Sequence, residues 1–316
     1  MKRTEYLVDR TIRLAVEGST QTLRLCARAQ DLPPLLIVQG GPGLPMLSEA
    51  ARLQRLLNLE ERFLVVYWDQ RGCGPAPGQE AQSVSLARQL ADLQFILRWL
   101  KETTGRAAVL LGVSLGATLA LQAAAGERGC VRTVIAVSPD TNTAISDRAV
   151  ADFLEAQSLL PGNSSLSHSV KKLGSPPYIT PARFQHRLRL LADLGKIENH
   201  KNFRGMLAET LLGLLKTYGL FGLVRSLANM GRVQSMLLPE LPVLNLRDHP
   251  LRLQVPVHFI FGQEDPLVPE ELIKRLPEAV TAPAGTLTRI PGAGHMAHFD
   301  QPEIVRTIIA AAGKDL

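Results

Sequence analysis

Three side chains in this chain have the types and neighbours that acyl transfer requires: a serine nucleophile, a histidine base and an acid to orient that base. The serine is Ser114, in Gly112-Val113-Ser114-Leu115-Gly116. The apolar run Ala108 to Leu111 precedes it, and the apolar stretch Ala117 to Ala125 follows. This order reads as strand, tight turn, helix, the setting of a nucleophile elbow. Glycines two before and two after the serine let strand and helix approach without Cβ clashes. The hydroxyl is then held at the carboxyl end of a sheet, near a helix N-terminus that favours developing negative charge. The plain alternative is a small-residue helix packed on a sheet.

The expected base is His295, in Ile290-Pro291-Gly292-Ala293-Gly294-His295. It follows an apolar run closely and precedes a terminal helix that begins near Pro302. The expected acid is Asp265, in Phe261-Gly262-Gln263-Glu264-Asp265-Pro266-Leu267-Val268-Pro269, after another apolar run. Glu264 competes for that role, and His298 is read as a neighbour of the base. A developing oxyanion needs backbone donors. One is the N–H of Leu115. The other is expected from Gln39-Gly40-Gly41-Pro42-Gly43, which follows the apolar run Leu35 to Val38; the alternative there is an ordinary tight turn.

The elements that must hold these residues are legible as periodicity. Residues 5 to 27 alternate apolar and polar around Gly18-Ser19-Thr20, which predicts an antiparallel hairpin. Continuous apolar runs at Leu35 to Val38, Phe63 to Trp68, Val109 to Leu111 and Val134 to Val137 predict strands buried on both faces. Leu86, Leu90, Leu93, Leu97 and Leu100 recur at helical spacing between two of them. Alternating strands and helices predict an α/β fold with a mostly parallel sheet. From 141 to 250 only helical stretches and loops are visible, and this segment is expected to be a helical insertion. Strands resume at Val257 to Phe261 and Thr286 to Ile290. The expected division is therefore a core of 1–140 and 251–316 around a helical cap of 141–250.

Composition narrows the class. The chain has 316 residues, 46% apolar and 20% charged, which suits a folded protein and excludes disorder as its main state. The +6 charge is mild for this length and comes without a block of five or six basic residues, so no nucleic-acid partner is expected. The twenty residues Ala107 to Gly126 carry no charge and are long enough to span a membrane. They contain the elbow, and read better as a buried strand and helix, so no stable membrane insertion is expected. Cys26, Cys73 and Cys130 form no CxxC pair, which predicts free thiols and no zinc site. No secretory signal is visible, and a cytoplasmic location is the expectation.

The order Ser114, Asp265, His295 and their contexts resemble the catalytic triad of the α/β-hydrolase superfamily. Two further motifs sharpen the resemblance. Gly40-Gly41-Pro42-Gly43 resembles the HGGPG oxyanion loop of proline iminopeptidases, and Asp69-Gln70-Arg71-Gly72-Cys73-Gly74 resembles their DQRGxG segment. The resemblance covers residues 5 to 140 and 251 to 316. It implies an eight-stranded, mostly parallel sheet with a helical cap after the sixth strand. It also implies no metal, no organic cofactor, Gly41 as the second oxyanion donor, and Asp69 and Arg71 as supporting residues. The expected partner is a small-molecule or short-peptide substrate, cleaved through an acyl-enzyme.

Three departures bear on the substrate. Gln39 stands where HGGPG has histidine, and Leu115 where those peptidases usually have tryptophan. The segment 141–250 holds 13 Lys or Arg against 8 Asp or Glu, although an aminopeptidase must hold a cationic amine. Glu155, Glu198, Glu209 and Glu240 are the acids considered for that task, each with a surface role as its alternative. An aminopeptidase for small N-terminal residues is the first expectation. A carboxylesterase for small or apolar acyl esters is the alternative, and a non-enzymatic ligand-binding protein on the same scaffold is a third. The Leu-rich run Met206 to Leu238 is expected to be mostly core of the helical insertion, with docking on a membrane or a second subunit as the other reading.

Overall fold

Buried apolar runs form the middle of the fold, as their lack of alternation predicts. The computed structural model describes residues 6–76 and 84–313. Residues 1–5, 77–83 and 314–316 of the expected core lie outside the described residues. The strands are β1 (Val8–Val16), β2 (Ser19–Ala27), β3 (Pro34–Val38), β4 (Leu64–Asp69), β5 (Ala108–Val113) and β6 (Val131–Val137). After the insertion come β7 (Leu251–Arg252), β8 (Val257–Gly262), β9 (Val280–Thr281) and β10 (Gly285–Ile290). Eight of them form one sheet in the order β1-β2-β4-β3-β5-β6-β8-β10; β7 and β9 pair separately. The hairpin β1–β2 and the β2–β4 pair are antiparallel, and every other pairing is parallel. This is the eight-stranded, mostly parallel sheet that the motifs imply.

Helices α1 (Ala50–Leu57), α2 (Leu86–Thr104) and α3 (Leu115–Gly126) connect the first strands. Helices α4 (Thr143–Ser158), α5 (Ser164–Leu173), α6 (Pro181–Asp193) and α7 (Phe203–Leu237) lie between β6 and β7. Helices α8 (Glu270–Lys274), α9 (Leu276–Ala279), α10 (Ala297–Asp300) and α11 (Pro302–Ala312) complete the chain. The two faces of the sheet feed two apolar layers, because side chains alternate along a strand. Leu36 and Leu110 pack with Leu93, Leu97 and Leu100 of α2 and with α3. Leu35, Ile37, Val109 and Leu111 pack on the other side with Leu53 and Leu57 of α1 and Val305 and Ile309 of α11. Helix α2 starts where the Ser85 side chain accepts the Arg88 N–H, and stops at Gly105 in the left-handed region.

One polar cluster sits inside this core. Arg71 and Asp92 of α2 form a two-point ion pair at 2.8 and 2.7 Å, and Arg71 Nη2 also donates to the Val16 and Glu17 carbonyls. Both side chains are buried. Arg71 thus ties the start of the β1–β2 turn to α2. Asp92→Asn leaves the buried guanidinium without its counter-charge and is expected to cost about 3–5 kcal/mol of stability, read as a lower urea midpoint. An unchanged midpoint would refute that role.

The four helices between β6 and β7 enclose an apolar cluster of their own, including Val150, Leu154, Leu173, Leu190, Leu191 and Ile197. Among the described residues this segment adds no strand to the sheet. Its longest element departs from expectation. Helix α7 is broken at Gly219 (φ 69°, ψ −178°) and leaves Leu207, Leu212, Leu215, Leu220, Phe221 and Val224 exposed. Its buried side carries Gly222, Ser226, Asn229 and Gln234 besides Leu214, Val233 and Leu237. That face holds on by polar contacts: Asn229 Nδ2 donates to the Gly74 and Ala76 carbonyls at 2.9 Å each. The expectation that most of the run is core is therefore corrected.

Candidate active site

The charge-free stretch from Ala107 to Gly126 is β5, a one-residue turn at Ser114, and α3. Nearly all of it is buried, so its apolar character serves the core. Ser114 has φ 53° and ψ −126°, a conformation rarely open to a residue with a Cβ. The flanking glycines are there because the backbones come too close for anything larger. A Cβ on Gly112 would lie 2.4 Å from the Ala117 Cα, and one on Gly116 would lie 2.2 Å from the Val38 carbonyl oxygen. Leu115 opens α3, so its N–H has no acceptor within the helix. The turn after β3 lies alongside: Gln39, Gly40, Gly41 and Pro42 line the same cavity as Ser114 and Leu115. Gly43 abuts the Met230 backbone of α7.

Asp265 follows β8 and His295 follows β10, at the carboxyl ends of neighbouring parallel strands. The sheet brings them together across thirty residues of sequence. His295 Nδ1 and Asp265 Oδ2 are 2.7 Å apart, and both side chains are buried. Asp265 Oδ1 accepts the Leu267 N–H at 2.8 Å, which holds the carboxylate in place. With Nδ1–H directed at Asp265, Nε2 is left as an acceptor. His295 lines the cavity that Ser114 lines. Among the described residues, no direct hydrogen bond joins the Ser114 hydroxyl to His295; such bonds are often long before substrate binds. Glu264 points elsewhere and pairs with Lys196. His298 is buried, and its imidazole is pushed down to about 3 by that burial and by the nearby charges of Arg52 and His295. It is neutral at pH 7 and does not line the cavity.

The helical insertion supports the His295 loop. The His295 and Met296 N–H groups donate to the Lys196 and Ile197 carbonyls at 2.9 and 2.8 Å. Asn199 Nδ2 donates to the Gly292 carbonyl, and Asp300 accepts the Gly294 and Asn199 N–H groups. The contacts from Lys196, Ile197 and Asn199 have no sequence signature, since they join loops about a hundred residues apart.

The cavity encloses about 230 Å³. Its walls are largely apolar, including Leu188, Leu191, Phe203, Met206, Met230 and Met296. The acids on its wall are Asp140 and Asp147. Asp147 is matched by a buried ion pair with Arg187. Asp140 accepts hydrogen bonds from Thr143 and Ser146 hydroxyls at 2.8 and 3.3 Å, and makes no ion pair among the described residues. Burial raises the Asp140 carboxyl above its ordinary pKa.

The acids considered from sequence for an amine lie elsewhere. Glu198 pairs with Arg52, Glu209 with Lys201 and Arg52, and Glu240 accepts the Leu86 N–H. Glu155 is exposed, and none of the four lines the cavity. Asp140 follows β6 directly and Asp147 lies in the second turn of α4, where no motif marks them. Asp69 and Arg71 also lie off the cavity wall. Asp69 instead accepts the Leu47 N–H at 2.8 Å and the Tyr218 hydroxyl of α7 at 2.5 Å, and burial pushes its carboxyl up to about 6. Among the described residues no three His, Cys, Asp or Glu side chains gather as metal ligands would.

Known proteins are similar to this chain in sequence or fold. Residues 35–307 match the model of the alpha/beta hydrolase family. The chain is 25% identical over 298 residues to a probable aminopeptidase, YbaC, of Bacillus subtilis (strain 168), covering 92% of each. A proline iminopeptidase from Mycobacterium smegmatis has a similar fold, with TM-score 0.70, 15% identity and coverage of 97% of this chain and 98% of that one. So has an esterase, RhEst1, from Rhodococcus sp. ECU1013, with TM-score 0.61, 16% identity and coverage of 98% and 99%. At these identities the solved structures speak for the fold. The family match over most of its length makes this chain a hydrolase that belongs to the alpha/beta hydrolase family.

Proposed function

We propose that this chain is a serine hydrolase working through an acyl-enzyme, and that it acts as an aminopeptidase on small N-terminal residues. The observation that carries the mechanism is the buried Asp265–His295 contact on the cavity into which the strained Ser114 turn opens. His295 Nε2 takes the Ser114 proton as the hydroxyl oxygen attacks the substrate carbonyl carbon. Asp265 keeps the imidazole in the needed tautomer and stabilises the imidazolium. The Leu115 and Gly41 N–H groups hold the oxyanion of the tetrahedral intermediate. His295 then gives its proton to the leaving amine. Water, with His295 again as base, attacks the acyl-enzyme and releases the acid and free Ser114. The segment between β6 and β7, helices and loops together, acts as a cap that supplies most of the substrate-facing wall.

The aminopeptidase reading is supported by Asp140. It is a cavity-wall carboxylate that forms no ion pair among the described residues, since nearby Arg187 is paired with Asp147, and a substrate ammonium would supply a direct partner. Similarity to the probable aminopeptidase points the same way. Hydrogen bonds to charged groups contribute about 1.5–3 kcal/mol. Asp140→Asn is therefore expected to raise KM for aminoacyl anilides about 10- to 100-fold, while an aryl ester without an amine is cleaved nearly as before. Equal losses on both substrates would overturn this role for Asp140.

The apolar walls favour a second reading, a carboxylesterase for apolar acyl groups. A panel of aminoacyl anilides and short-chain aryl esters, run beside Ser114→Ala, separates the two. Ester cleavage with no anilide cleavage would reject the aminopeptidase. No Ser114-dependent cleavage of either would reject the serine hydrolase and favour a binding protein on the same scaffold.

A further inference from the structure

Helix α7 presents two different faces. One side, through Met206, Thr210, Met230 and Gln234, lines the cavity. The other leaves large apolar side chains in water: Phe221 is 81% exposed, Leu220 71% and Val224 62%, with Leu212 and Leu215 on the preceding segment. Single exposed apolar residues are ordinary, but several on one helix mark an interaction surface.

The charges on the same helix are one-sided. Between Phe203 and Leu237 the basic residues are Arg204, Lys216, Arg225 and Arg232, and the one acid is Glu209. Glu209 is already held by Lys201, Arg52 and Arg55. None of the four basic residues has an acidic partner within ion-pair distance among the described residues. Exposed apolar side chains flanked by unmatched cations fit a surface that is apolar inside and anionic outside.

We propose that this face of α7 docks on an anionic phospholipid surface. Leu220, Phe221 and Val224 enter the boundary between headgroups and acyl chains, and the flanking cations lie at the headgroup level. The helix is long and apolar enough to cross a membrane by length and composition alone. It docks flat instead, because its other face is fastened to the core by Asn229 on the Gly74 and Ala76 carbonyls and by Tyr218 on Asp69. Crossing the bilayer would break those contacts and bury charged side chains of the helix. A second copy of the chain fits this face less well. A two-fold contact sets a patch against itself, so the cations would meet like charges with no acids to match them.

The test is sedimentation of the full chain with vesicles. One set contains equal parts of phosphatidylglycerol and phosphatidylcholine, the other phosphatidylcholine alone. The parent is expected to bind the anionic vesicles at least about tenfold more tightly. The pair Phe221→Ser with Val224→Ser, and separately Arg204→Glu with Lys216→Glu, are expected each to weaken that binding at least about tenfold. These side chains are exposed, so the thermal midpoint should stay close to the parent's and serves as the folding control. The proposal is overturned if the parent binds neither vesicle, or both equally. It is also overturned if folded variants bind as the parent does, or if the serine pair only dissolves a dimer in solution.

Discussion

Ser114→Ala is expected to lower turnover by a factor on the order of 10⁴–10⁶ while leaving the fold intact. The change removes one oxygen at a position whose backbone conformation any L residue finds strained, so alanine neither relieves the turn nor adds a clash. The cavity, the Asp265–His295 contact and the Gly41 and Leu115 N–H groups proposed to hold the oxyanion all remain. What is lost is the proposed nucleophile, and with it the proposed covalent intermediate. The measurement is kcat/KM on the best ester or anilide, beside a thermal melt. A folded variant with turnover within tenfold of the parent would remove Ser114 from the mechanism. Because the test compares chemistry with folding in one variant, a collapsed protein cannot be mistaken for an inactive one.

Asp265→Asn is expected to cost about 10⁴-fold in kcat with little change in KM. The asparagine amide fits the same space, and its oxygen can still accept the Leu267 N–H. Its NH₂ group, however, donates toward His295 Nδ1. That pushes the imidazole proton to Nε2, where the proton of Ser114 must go. The effect is thus on proton transfer, with the substrate wall unchanged, and the split between kcat and KM is what identifies it. Glu264→Gln is the matched control. Its side chain is partly exposed and paired with Lys196, so activity should be nearly unchanged. A large loss at Glu264 and none at Asp265 would reverse the assignment.

Much of the core was legible because burial on both faces leaves a simple mark. The runs at Leu35, Val65, Val109 and Val134 are strands, and the leucine repeat from Leu86 is α2. The elbow was legible for a related reason. A strand that turns at once into a helix against a neighbouring strand needs glycine where the backbones meet, and glycine is visible in a sequence. The DQRGCG segment was legible as a motif but not as a role. Arg71 proved to be half of a buried ion pair, and Asp69 a tether for α7.

Helix α7 departs from the sequence expectation for an equally physical reason. A leucine-rich helix has the same composition whether its apolar side faces a core or water, and only neighbours distinguish the two. Here the neighbours contact Gly222, Ser226 and Asn229, leaving Phe221 and Val224 outside.

By itself the sequence determined the α/β fold, the order of its parallel strands along the chain, and which serine, acid and histidine stand at strand ends. These depend on short-range periodicity and on turns whose residues are adjacent in the chain. Only the tertiary structure decided which acid faces the cavity. Glu155, Glu198, Glu209 and Glu240 were as eligible in sequence as Asp140, and ion pairs or a backbone amide from elsewhere hold three of them while Glu155 stays in solvent. A carboxylate's role is set by which cations reach it, and those cations arrive from residues as distant in the chain as Arg52 is from Glu198.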